Sequence, residues 1–338
     1  MKLYAGIDLH SNNHVVVLSD AEGKEVYRKR HPNDLKVTLN ALEPHQAQIE
    51  GVAVESTYNW YWLVDGLMDN GYRVHLVNTA AVQQYQGLKY ADDNTDARWL
   101  SNLLRLGILP EGYIFPREER AVRDLSRKRM QLVQMRTANI LSIQNIAARN
   151  RGSSLSANRV KALAPEDIEQ LFPLSEVALA VDSNRVIVQA LEEQIIRLEK
   201  AMLAHAKIRP ELHHLLSAPG IGKVLALAIL LETGDIGRFA GPGNYASYCR
   251  CVGSDRISNG KSKGKGNTKN GNKYLAWAYI EAANFAIRHN DRIKRYYQRK
   301  LAKTHRVVAK KTVAHKMARA CYHMMRERTD FDLDRAFG

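Results

Sequence analysis

The chain has 338 residues, 45% of them hydrophobic and 25% charged, with a formal net charge of +15 at pH 7. That length buries at least one full core and points to two or three structural units, so intrinsic disorder is not the default. The longest apolar run, Val224 to Leu231, is too short to cross a bilayer, and the start MKLYAGIDLH has an early acid and no sustained apolar stretch. Both features predict a cytoplasmic protein with no membrane partner. Three cysteines without CxxC spacing, Cys249, Cys251 and Cys321, argue against a disulfide framework or a structural zinc site and read as small apolar packers. The excess charge is localised: residues 250–338 hold 22 Lys and Arg against 7 Asp and Glu, whereas the first 249 residues hold 28 of each. A basic surface so placed favours a polyanion, most commonly nucleic acid.

In chain order, Leu3–Leu9, Val15–Ser19 and Lys24–Arg30 are short β-prone runs separated by the turn residues SNN and AEG, which predicts an antiparallel meander. A helix near Asp34–Leu42, a strand at Ile49–Glu55, a helix at Tyr58–Met68 ended by Asn70-Gly71 and a strand at Tyr72–Val77 follow. Three strands, helix, strand, helix, strand is the order of an RNase H-like sheet, and many other α/β folds share it. After Pro116, helical patterns cover Arg117–Asn150 and Ser175–Lys207. Val188, Leu191, Ile195, Leu198 and Met202 recur at spacings of three and four, a coiled-coil seam matched by a stripe of Val122, Leu125, Leu132 and Met135. The polar loop RGSSLSANR between them makes the pair a candidate antiparallel hairpin or dimerising arm. Beyond Pro210, LLSAPGIGKVLALAILLET has the form helix, Pro-Gly-x-Gly turn, helix. A helix-hairpin-helix of that kind holds a phosphate on backbone N–H groups, here near Gly220, Gly222 and Lys223. A loop rich in Gly, Ser, Asn and Lys, SDRISNGKSKGKGNTKNGNKYL, precedes helices at Tyr274–His289 and Lys310–Arg328.

The acids of the first hundred residues are the candidate chemical groups. Asp8 lies mid-strand among Gly6, Ile7 and Leu9, where a carboxylate is costly unless paired or bound to a cation. Glu55 ends a strand after the apolar VAV, and Asp93 and Asp96 sit three apart at a helix start, on one face. At the open end of the inferred sheet, four such oxygen donors suit one or two Mg²⁺ ions acting on a phosphodiester. Helix capping by Asp93 or Asp96, and a turn at Glu55, are the competing explanations.

GIDLH, VAVESTYNWYW, the helix start DNTDA, LSRKRMQLVQMRTANIL, PGIG and an SxGK-rich loop leading to GNKYL occur in order over nearly the whole chain. This ordered set resembles the insertion sequence 110 family of DEDD transposases, or bridge-RNA-guided recombinases, whose relatives include Piv-type DNA invertases. The resemblance implies a RuvC-like, RNase H-fold catalytic domain over residues 1–115, a coiled-coil helical region over 116–207, and a mainly α C-terminal transposase domain with the serine loop over 208–338. It implies Mg²⁺ bound by Asp8, Glu55, Asp93 and Asp96, and a serine that attacks DNA to form a covalent phosphoserine link. The family's serine lies in a Ser-x-Gly segment eight residues before a Gly-x-Ser/Thr-Lys segment, which here is Gly266, Asn267, Thr268 and Lys269. The resemblance thereby implies Ser258 as nucleophile, with Ser254 and Ser262 in the same loop and Lys261, Lys263, Lys265 and Lys269 beside it to draw in phosphate.

Arg117, Arg120, Arg123, Arg127, Lys128, Arg129 and Arg136 make the first long helix basic, a pattern that a solvated coiled-coil face also explains. The resemblance implies instead a structured non-coding guide (bridge) RNA held there, with donor and target DNA at the basic C-terminal region near Tyr274, Trp277 and Tyr279, and a homo-oligomer, dimer or tetramer, to join two duplexes. Two other readings compete with this recombinase: a metal-only Holliday-junction resolvase of RuvC type, and a non-catalytic RNA- or DNA-binding protein.

Overall fold

The computed structural model describes residues 1–82, 93–206, 210–253, 255–265 and 270–338. It forms two compact units, Met1–Ile114 and Phe115–Gly338.

The first unit contains β1 (Leu3–Leu9), β2 (Asn13–Ser19), β3 (Glu25–Pro32), α1 (Leu35–Leu42), β4 (Ile49–Glu55), α2 (Tyr61–Asp69), β5 (Val74–Val77) and α3 (Asp93–Arg105). Its mixed sheet has the order β3-β2-β1-β4-β5, antiparallel among the first three strands and parallel from β1 through β4 to β5. The strands β1 and β2 are apolar almost throughout because helices cover both faces. Leu3, Ala5, Ile7 and Leu9 share one core with Leu42 of α1 and Leu63 and Leu67 of α2. On the opposite face, Val15 and Val17 pack against Ala97, and Ala53 and Val77 against Leu100, both from α3.

The second unit is mainly helical. Two long helices, α4 (Arg117–Arg151) and α7 (Ser175–Ala206), enclose the short α5 (Ala157–Lys161) and α6 (Pro165–Leu171). Arg129 pairs with Glu199 and Arg136 with Glu192, so the long helices run antiparallel. Val188, Leu191, Ile195 and Met202 are buried as their spacing predicts, but Met135 of the α4 stripe is exposed. The burial of α4 moves instead to Ile140, Ile143 and Ile146, because α5 and α6 cap that end with Val160, Leu163, Ile168 and Phe172. The inter-helix segment is accordingly more structured than a polar loop, its first helix capped by the Ser156 side chain.

Around one further core lie α8 (Glu211–Leu216), α9 (Lys223–Thr233), α10 (Pro242–Tyr248), α11 (Lys273–His289), α12 (Asp291–Leu301), α13 (Arg306–Glu327) and α14 (Leu333–Phe337), with a two-stranded hairpin of β6 (Asp255–Ser258) and β7 (Lys261–Lys265) between α10 and α11. The three cysteines are free and buried in this core, where burial pushes the Cys251 and Cys321 thiols up to about 12.

Candidate functional site

Strand register sets out the acid cluster. Asp8 lies opposite Val15, Val15 opposite Arg30, and Glu55 opposite Val77. One step beyond the Ile7–Val54 pair, Asp8 and Glu55 are neighbours at the carboxyl ends of two parallel strands. Residues directly opposite share a face, so one row carries Arg30, Val15, Asp8, Glu55 and Val77 toward α3. Clefts at the carboxyl ends of parallel strands are the usual ligand position in such sheets.

The close approach of α3 depends on Gly6, two residues before Asp8 and on the same face. A Cβ there would lie 2.0 Å from the Ala97 carbonyl oxygen and 2.6 Å from the Ser101 amide nitrogen. The Ser101 hydroxyl donates to the Tyr4 carbonyl at 2.9 Å and pins the helix to β1. This docking brings the first turn of α3, with Asp93 and Asp96, over the end of the sheet.

Asp8, Glu55 and Asp96 line one cavity of about 350 Å³, with Thr79 and Trp99 on its wall. Asp93 stands beside it. The His10 Nε2 is 3.3 Å from an Asp93 oxygen and 3.2 Å from the Oδ2 of Asp8, and Arg30 donates to the same Asp93 oxygen at 2.5 Å. Asp8 is only 4% exposed, and its Oδ2 has no hydrogen-bond partner. Burial, a shared hydrogen bond with Asp8 and the negative charges of Asp8 and Asp96 push the Glu55 carboxyl up to about 8, against a smaller opposing effect of the Leu9 amide. Asp93 moves the other way, held low by the Arg30 hydrogen bond and the positive charge around it, with burial opposing. A buried, unpartnered carboxylate oxygen beside a carboxyl that keeps its proton is the electrostatic state that a divalent cation relieves, so the donor set fits such an ion. Asp8, His10 and Asp93 each offer one ligand atom, all within 4.8 Å of one another.

The four acids foreseen in the sequence thus lie together, three on the cavity and Asp93 joined through His10. His10 and Arg30 were not foreseen as site residues. His10 was visible in GIDLH, two places after Asp8, whereas the position of Arg30 follows from the β2–β3 register, which local spacing does not carry.

Ser258 is exposed at the end of β6, opposite Lys261 across an Asn259-Gly260 turn. Asn259 and Gly260 both have positive φ, +50° and +70°. This corrects the reading of the segment as an irregular loop: Asn-Gly is the preferred two-residue hairpin turn, a signal hidden by the surrounding Gly-Lys repeats. Lys261 and Lys263 are exposed on β7, Lys265 ends it, and Ser262 pairs with Ile257. Ser254 and Gly266, Asn267, Thr268 and Lys269 lie outside the described residues.

In the Pro-Gly-x-Gly turn, a Cβ on Gly220 would lie 2.3 Å from the Ala282 carbonyl oxygen, so this glycine serves packing against α11. Gly222 is the N-cap of α9 without a side-chain cap, and Lys223 is its exposed first residue. The basic face of α4 is largely turned inward. Arg123 and Arg127 pair with the buried Glu232 of α9 at 3.0 and 2.6 Å, while Arg129 and Arg136 pair with α7 and Arg120 is buried. Arg123, Arg127, Arg129 and Arg136 thus neutralise acids of neighbouring helices, which corrects the expectation that they hold RNA; Arg117 and Lys128 are exposed. Tyr279 is buried core, and Tyr274 carries the Arg127 guanidinium over its ring at 4.4 Å.

An α/β unit with a carboxylate cluster at its sheet end, joined to a helical unit rich in basic residues, has the build of an enzyme acting on nucleic acid. Residues 5–148 match a family model described as a transposase, of the DEDD IS110 type, and residues 212–298 match one described as the transposase IS116/IS110/IS902 family. A protein of Pseudomonas aeruginosa named probable family 20 transposase is 24% identical over 292 residues, covering 82% of this chain and 84% of that one. The chain belongs to the IS110 transposase family, and that membership supports DNA transposase activity with DNA as substrate. Among the described residues, no helix is long and apolar enough to cross a membrane.

Proposed function

We propose that this chain is an RNA-guided, site-specific DNA recombinase working in the cytoplasm. The observation that carries the reading is the convergence of Asp8, Glu55 and Asp96 on one cavity, with Asp93 beside it. The sheet order, with an antiparallel meander leading into two parallel strands, supports a RuvC-like RNase H fold for residues 1–115. Residues 116–207 then form the helical insertion and residues 208–338 the transposase domain.

In this reading Asp8, Glu55, Asp93 and Asp96 hold Mg²⁺, which when bound supplies positive charge to a phosphodiester under attack. Glu55, whose carboxyl is pushed up by burial and by Asp8, would give up its proton when the ion binds. Ser258 is the nucleophile: its Oγ bonds to phosphorus, and the bridging oxygen leaves with a proton as a DNA hydroxyl. Attack by a hydroxyl of another strand reverses the step, re-forms a phosphodiester and returns the serine, so no bond energy is lost. The exposed Lys261 and Lys263 draw the phosphate toward Ser258. Exposed cations such as Arg117, Lys128 and Lys223 contact backbone phosphates, while a bridge RNA supplies sequence choice by base pairing. Joining two duplexes calls for a dimer or tetramer of the chain.

The test is replacement of each acid by its amide, Asp8→Asn, Glu55→Gln, Asp93→Asn and Asp96→Asn, which keeps shape and removes ligand charge. Each variant is expected to lose strand cleavage in Mg²⁺ and to retain DNA binding. Full cleavage by Asp8→Asn would overturn the assignment.

A further inference from the structure

We propose that His10 is a direct ligand of the divalent cation at the acid cluster, and that its nitrogen gives the site a preference for Mn²⁺ over Mg²⁺. The proposal rests on the reading of the acids as a metal site and adds a fifth donor of different chemistry. The Nε2 of His10 is buried without a hydrogen-bond partner and faces oxygens of Asp8 and Asp93 at 3.2 and 3.3 Å. Donors at adjacent corners of an octahedral ion with bonds of about 2.1 Å stand about 3 Å apart, so both separations suit ligands sharing one ion. The Asp8 oxygen is that of a residue 4% exposed and makes no other hydrogen bond, whereas the Asp93 oxygen also accepts from Arg30.

The main chain of His10 is fixed more firmly than a half-exposed residue at a strand end requires. Its carbonyl accepts from the side-chain amides of Asn33 at 2.9 Å and Asn59 at 3.0 Å, and its amide donates to the Asn13 carbonyl at 2.9 Å. Three contacts from three segments hold the backbone that carries the imidazole at the end of β1, a support that a ligand's position needs. Mg²⁺ favours all-oxygen sites and dehydrates reluctantly, whereas first-row transition ions accept imidazole nitrogen.

The experiment uses the full chain with saturating Mn²⁺, reading affinity by titration, Mg²⁺ by competition, and directly bound ¹⁴N by pulsed electron paramagnetic resonance. Wild type is expected to show imidazole ¹⁴N coupling and to bind Mn²⁺ more tightly than Mg²⁺. His10→Ala is expected to lose the coupling and at least about tenfold in Mn²⁺ affinity, the lower range for losing even an outer-sphere partner. His10→Gln, which restores an oxygen donor, is expected to recover affinity but not ¹⁴N coupling. If Asp8→Asn abolishes binding while wild type lacks ¹⁴N coupling and His10→Ala binds normally, His10 is no ligand and the acid site stands. If Asp8→Asn binds Mn²⁺ as wild type does, the acid-site reading fails and this inference fails with it.

Discussion

Glu55 keeps its proton at neutral pH because it shares a half-buried pocket with Asp8 and Asp96, and two or three carboxylates so close cannot all ionise without a cation. The consequence for stability has a definite sign. A carboxyl raised from 4.5 to about 8 contributes stability in full below about pH 4.5 and loses it as pH rises through about 8. In metal-free protein, the melting advantage of Glu55→Gln over wild type is therefore expected to grow between pH 6 and pH 9, on the order of several degrees for the first unit's transition. An equal gap at both pH values would contradict the burial account. At this scale the sequence was informative where one residue broke a strong pattern. An acid inside GIDL has few structural excuses, so Asp8 was legible, and Asp93 and Asp96 followed from helical spacing. Arg30 was not, because its ion pair with Asp93 links residues 63 apart.

Among the elements, α3 is the one whose placement makes the site, and its placement depends on the missing side chain of Gly6. Gly6→Ala puts a Cβ against backbone atoms of Ala97 and Ser101, which cannot yield without moving the helix. The expected cost is about 1–3 kcal/mol, with loss of divalent-cation binding because Asp93 and Asp96 move with α3. Gly222→Ala is the control: nothing lies within 4 Å of its Cβ, and the expected cost is below about 1 kcal/mol. Urea unfolding of both variants decides the matter, and equal stability losses would remove the close-approach argument. The strands of the first unit and the two long helices were readable from periodicity because each buries a continuous face. Less was readable where one element borrows its burial from another. Met135 continues the α4 stripe yet is exposed, and α12 rests on an Asn290 cap and a single fully buried residue, Ile293. The β6–β7 hairpin was local in origin, but its Asn-Gly turn lay among glycines that made every position look like a turn.

Across the whole molecule, the +15 charge divides unequally between surface and interior. Arg123, Arg127, Arg129 and Arg136 of α4 are bound to acids within the second unit, where Glu232 alone takes two of them and the Asn272 side chain. Burial pushes that carboxyl up, but the Arg127 hydrogen bond and the two guanidinium charges outweigh it and hold Glu232 low. Such buried pairs fix helix packing and leave little net field, so the composition overstated α4 as a nucleic-acid surface. By contrast Lys261 and Lys263 are exposed on β7, beside the exposed Ser258 at the end of β6. The decisive question for the whole molecule is whether that serine carries the DNA. Wild type and Ser258→Ala are incubated with donor DNA, target DNA, bridge RNA and Mg²⁺, and a denaturant-resistant protein–DNA adduct is sought and mapped by peptide mass. Wild type is expected to form an adduct at Ser258 and Ser258→Ala to form none, with DNA binding and fold unchanged. An adduct that persists in Ser258→Ala, or cleavage at the normal rate without any adduct, would contradict this assignment.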